Sequence, residues 1–93
     1  MKKTSAWNSF IENCSTINST ADLAKFFELT LTPAEREKIA ARYMILAELI
    51  HGKKPQREIA ANLNVSIFNV TRGANQLKSA SAADKKLIKA PKE

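Results

Sequence analysis

Five cationic side chains crowd the second half of this chain. Lys53, Lys54, Arg57, Arg72 and Lys78 stand between positions 53 and 78 against Glu58 alone. Ammonium and guanidinium groups at that density neutralise phosphates and release their counterions, so the pattern points to a polyanion such as nucleic acid. Charges cancel over residues 1–31 and again over 32–52, so the net +6 sits on this half. The tail adds Lys85, Lys86, Lys89 and Lys92 against Asp84 and Glu93, and a lysine-rich end is often only solubilising. His51 is the single histidine. With no Cys, Asp or second His at metal-ligand spacing, it reads as a solvated helix-end residue, and no metal is expected. No nucleophile stands beside a base and there is no phosphate loop, so an enzyme is not expected.

The cations need a scaffold that presents them, and residues 56–76 supply one. QREIAANLNVSIFNVTRGANQ reads as two short helices joined by a tight turn, a helix-turn-helix. Ile59, Leu63, Val65 and Val70 take the interior positions, and Ala60 is small where the helices cross. Asn64 sits where the turn needs left-handed backbone, which Asn tolerates best after Gly. Ser66 follows as N-cap of the second helix. Pro55 opens the first helix with fixed φ but no side-chain cap, which suits a loosely held pair. Gly73, inside the second helix, costs about 1 kcal/mol relative to alanine, so something should approach the backbone there.

The remaining elements are helices too. Trp7, Phe10, Ile11, Cys14 and Ile17 recur at helical spacing over residues 5–17, with Thr4 or Ser5 as cap. Ser19 or Thr20 starts a second helix, with apolar Leu23, Phe26 and Phe27 and an end near residues 29–31. Thr32-Pro33-Ala34-Glu35 is a capping box with Pro at the first helical position. The long helix after it runs to His51, with Ile39, Tyr43, Leu46 and Ile50 as its apolar stripe, Ala40, Ala47 and Leu49 beside it, and Gly52 as left-handed stop. Ser81 caps a last helix over residues 82–89, and residues 90–93 should fray. Ninety-three residues make one domain near the lower limit for burying a core alone, so a second copy is expected to cover the thin apolar stripes. The lone Cys14 forms no internal disulfide and reads as a small buried residue in a reducing cytoplasm. The basic start is followed by no apolar run long enough for a signal peptide, and no stretch could span a membrane.

LTPAEREKIAARYMILAELIHGKKPQREIA followed by NVTRGANQLK closely resembles the tryptophan (Trp) repressor family of bacteria, over residues 29–78 without a gap. The resemblance implies an all-α, six-helix subunit in an intertwined homodimer, residues 1–52 and 79–93 forming the dimerisation core and 53–78 the DNA-binding region. It implies operator binding when L-tryptophan is held as corepressor. Arg42 and Arg72 would flank the indole, Arg72 also pairing with the carboxylate. Gly73 would admit the ligand, and Leu29, Leu31 and Thr32 of the second subunit would hold its amino-acid end by backbone carbonyls and a hydroxyl. Asn69 and Gln76 stand where the family usually has threonine and serine; both can still bond a ligand but are longer. For DNA, the resemblance places Gln56, Arg57, Thr71 and Lys78 at phosphates or base edges, with Ile67, Phe68 and Asn69 at the tip of the recognition helix. The family usually has a small residue at position 68 and a lysine at 60.

The expected function is thus a tryptophan-gated repressor on duplex operator DNA. The rivals are a ligand-independent helix-turn-helix module of transposase-like or constitutive type, and a purely structural dimerisation domain.

Overall fold

The computed structural model describes residues 2–91, and every regular element among them is a helix. In chain order these are α1 (Lys3–Thr16), α2 (Thr20–Thr30), α3 (Pro33–His51), α4 (Gln56–Leu63), α5 (Ile67–Lys78) and α6 (Ala82–Lys85). The chain divides into two compact units, Met1–Arg36 and Glu37–Glu93.

The first unit is held by aromatic rings. Phe10 lies 5.5 Å from Trp7 and 5.6 Å from Phe26 between centroids, and 6.2 Å from Phe27. Offset ring contacts of this kind add to the area the rings bury. Even so, neither α1 nor α2 has a buried residue. Cys14 is only half-buried. The α1 N-terminus departs from expectation: the helix begins at Lys3, with the Ala6 N–H donating to the Lys2 carbonyl at 3.0 Å. Thr4 and Ser5 therefore lie inside the first turn and cap nothing. Ser19, rather than Thr20, caps α2 by accepting from the Asp22 N–H at 3.2 Å.

Entry into α3 follows the capping-box logic. The Thr32 N–H donates to Glu35 Oε1 at 2.8 Å, and the Glu35 N–H donates back to Thr32 Oγ1 at 3.2 Å. Arg36, which reads as a surface charge in the sequence, donates from Nη1 to the Leu31 carbonyl at 2.8 Å.

In the second unit Ile45, Ile59, Ala60 and Val70 form the core, with Leu49, Leu63 and Val65 packed against it. The face that α3 turns to this core lies to one side of the expected stripe: Ala47 and Leu49, beside that stripe, are buried and packed on the core respectively. Ile45 is 3% exposed, whereas Ile39 and Tyr43 are 55% and 41% exposed. Apolar residues lie on several sides of this helix, so periodicity alone selects no face; packing on α4 and α5 does.

The α4–α5 junction is built as its residues dictate. Asn64 takes φ 54° and ψ 48°, the left-handed region. The Val65 N–H donates to the Ala60 carbonyl at 3.0 Å and the Asn64 N–H to Ala61 at 3.3 Å, a Schellman closure. Ser66 caps α5, accepting from the Asn69 N–H at 3.3 Å. Pro55 precedes α4 without a side-chain cap bond.

Gly52 corrects a further expectation. No described glycine has positive φ, so Gly52 is not a left-handed stop. Its N–H still donates to the Glu48 carbonyl at 2.9 Å, and a Cβ there would lie 2.8 Å from that oxygen. Close approach, not handedness, calls for glycine. The last helix is shorter than expected, ending at Lys85 although the Ser81–Asp84 capping box forms. Beyond Lys85 the chain tightens into i→i−3 bonds, the Leu87 N–H to the Asp84 carbonyl and the Ile88 N–H to the Lys85 carbonyl, both at 3.1 Å. Helix α3 holds the segment that follows: Tyr43 Oη donates to Lys89 O at 3.0 Å, and His51 Nε2 to Ile88 O at 2.7 Å. Pro91 further biases residue 90 away from helix. His51 is thus a strut for the tail. The expected fraying falls, for Lys92 and Glu93, outside the described residues.

Candidate ligand pocket and nucleic-acid interface

Helix α5 carries three stripes, and each meets a different environment. Val70 is fully buried, with Leu77 two turns on and half-buried. Asn69, Arg72, Gly73 and Gln76, at i, i+3, i+4 and i+7, line a cavity. Phe68, Thr71, Asn75 and Lys78 are exposed along the solvent side.

The cavity has a volume of about 380 Å³, in the lower part of the range for small-molecule sites, roughly 300–1,000 Å³. Its other wall is α3, through Lys38, Ala41, Arg42, Ile45 and Leu46, again at i, i+3, i+4, i+7 and i+8. The fold therefore brings Arg42 and Arg72, thirty positions apart in sequence, to one cavity from two helices. No carboxylate lines it; three cations, two amides and an apolar floor do. Such a set suits a planar aromatic ligand with a carboxylate, guanidinium faces stacking on the ring and N–H groups pairing with the acid.

The sequence reading placed none of Lys38, Ala41, Ile45 and Leu46 at the ligand, and Lys38 is the charged residue among them. It reads as one charge among many on α3, yet its spacing of four from Arg42 was the available signal. Gly73 also proves tightly placed. A Cβ there would meet Ile45 Cγ2 at 3.0 Å, Leu49 Cδ1 at 3.5 Å and Leu46 Cδ2 at 3.6 Å, so the missing side chain lets α5 approach α3.

Leu29, Leu31 and Thr32 are not among the lining residues; they belong to the first unit. Leu29 is 87% exposed. The Leu31 carbonyl already accepts from Arg36, and the Thr32 hydroxyl oxygen from the Glu35 N–H. Each retains one lone pair for another donor.

Of the nucleic-acid candidates, Gln56 and Thr71 are joined: Thr71 Oγ1 donates to Gln56 Oε1 at 2.9 Å, tying the start of α4 to the solvent face of α5. Arg57, Ile67, Phe68 and Lys78 are exposed. Asn69 is exposed too, on the stripe that lines the cavity.

Comparison with known proteins places this arrangement. A family model described as "Trp repressor protein" matches residues 5–92. The chain belongs to the Trp repressor family. A relative from Chlamydia caviae named "Trp operon repressor homolog" is 41% identical over 83 residues, covering 89% of this chain and 82% of its own. Proteins of the same name from Actinobacillus succinogenes and Pasteurella multocida are 43% identical over 72 residues and 38% over 73. They cover 77% and 78% of this chain, and 71% and 72% of their own. The family is one of transcriptional repressors, which is no enzyme class, and at family level tryptophan is the corepressor. Among the described residues no cluster of three or more His, Cys, Asp or Glu could hold a metal ion, and no helix is long and apolar enough to cross a membrane.

Proposed function

We propose that this chain is a cytoplasmic, tryptophan-gated repressor that binds operator DNA as a homodimer. The observation that carries the reading is that one helix holds both the cavity stripe and the solvent stripe of α5. A ligand seated on Asn69, Arg72, Gly73 and Gln76 acts directly on the helix that presents Phe68, Thr71 and Lys78. Arg42 and Arg72 take the indole between them, and Arg72 pairs with the carboxylate.

The first unit, with no buried residue on α1 or α2, gains its core from a second copy. Residues 1–52 and 79–93 form that dimerisation core, and residues 53–78 the DNA-binding region. Leu29, Leu31 and Thr32 of the second subunit close the cavity over the ligand's amino end, using the lone pairs left to them. On the DNA side, Gln56, Arg57, Thr71 and Lys78 meet phosphates or base edges, with Ile67, Phe68 and Asn69 at the tip. The ligand holds the two recognition helices one DNA turn apart and so shifts the population toward the binding-competent dimer.

Calorimetry tests the pocket. The expected result is one L-tryptophan per chain, with Arg42→Ala and Arg72→Ala each weakening binding at least tenfold at unchanged helicity. Unaltered affinity in both variants, or no heat with the wild type, overturns the reading; the latter is the outcome for a ligand-independent module.

A further inference from the structure

Phe68 is 77% exposed, and Ile67 beside it is 40% exposed, in the first turn of α5 immediately after the Ser66 cap. The rest of that solvent stripe is polar: Thr71, Asn75 and Lys78. The core neither needs nor covers this apolar tip. The segment that carries it is cationic, with Lys53, Lys54, Arg57, Arg72 and Lys78 against Glu58 alone over residues 53–78. A protein partner of ordinary composition has no reason to prefer that setting, whereas a phosphate backbone does. A recognition helix enters the major groove with its N-terminal residues against the base edges, which puts Phe68 and Ile67 at the floor. The apolar group that a base pair offers there is the C5-methyl of a pyrimidine: always present on thymine, absent from cytosine unless methylated.

The geometry points to Phe68, supported by Ile67, as a reader of pyrimidine C5-methyl groups, giving the operator half-site a requirement for thymine under the tip. The inference rests on the DNA-binding reading above. Burying one methyl in such a contact is worth about a fourfold change in affinity.

The experiment selects binding sites from random duplex DNA with the full chain and L-tryptophan, then scans the enriched site with deoxyuridine in place of each thymine at fixed salt. At one or two positions per half-site, deoxyuridine weakens binding about fourfold, and 5-methylcytosine in a C·G pair at the same position binds about fourfold better than cytosine. Phe68→Ala keeps the fold, because the ring is exposed, and loses both sensitivities. Enrichment of a site that is indifferent to deoxyuridine everywhere overturns this inference alone. Equal methyl sensitivity in Phe68→Ala, or a variant defect that appears only as lost self-association, overturns it as well. Failure to enrich any sequence brings down the DNA-binding reading with it.

Discussion

Replacing Gly73 with alanine sets two effects of known size against each other. Alanine in a helix interior is favoured over glycine by about 1 kcal/mol. The new Cβ would lie 3.0 Å from Ile45 Cγ2, while its contacts with Leu49 and Leu46 at 3.5 and 3.6 Å are ordinary. Carbon atoms rest about 3.5–4.0 Å apart, so α5 and Ile45 must separate by roughly half an ångström. Ile45 is 3% exposed and has little room to yield. Overpacking of that kind costs about 1–3 kcal/mol, so the net effect is a loss of about 1 kcal/mol. Ile45→Leu moves the branch off Cβ and removes Cγ2, at a cost below about 1.5 kcal/mol. In that background Gly73→Ala should become stabilising, by up to about 1 kcal/mol. Urea unfolding of the four proteins at one fixed concentration measures the cycle. A stabilisation of about 1 kcal/mol by Gly73→Ala in both backgrounds, with no coupling, would refute the close approach of α3 and α5. A bulky residue at 73 is a poorer probe, since it would collide with Ile45 as well as intrude on the cavity.

Three further outcomes are expected. Asn64→Ala, placing an alanine at φ 54°, should cost about 1 kcal/mol in urea unfolding, while Asn64→Gly should be near neutral. Thr32→Ala removes the hydroxyl that accepts from the Glu35 N–H and should lower stability by about 1 kcal/mol. Lys38→Gln leaves the fold intact, because the side chain is exposed, and weakens binding of an indole carboxylate lacking the ammonium more than that of L-tryptophan, by a few-fold in calorimetry.

What was legible in the sequence had a local cause. The Thr32–Glu35 box, the Asn64 turn and the Ser66 and Ser81 caps each depend on residues within a few positions of one another, and all four form. The Arg42–Arg72 cavity was reached through resemblance, because no local rule joins residues thirty apart. The α1 start and Gly52 departed from expectation for local reasons, and the larger departures were set by distant partners. The α3 face that is buried depends on α4 and α5, and the segment after α6 is held by Tyr43 and His51 of α3, which donate to the Lys89 and Ile88 carbonyls. Lys38 was hidden differently: a lysine on a charged helix looks alike whether it faces solvent or the mouth of a cavity.

Gating is most directly tested by measuring the affinity of the full chain for a tryptophan-operon promoter fragment at one fixed salt concentration, with and without saturating L-tryptophan. A ligand that stabilises the binding-competent dimer should tighten the complex about 5- to 150-fold, the usual span of such coupling. Equal affinity in the two conditions would contradict it.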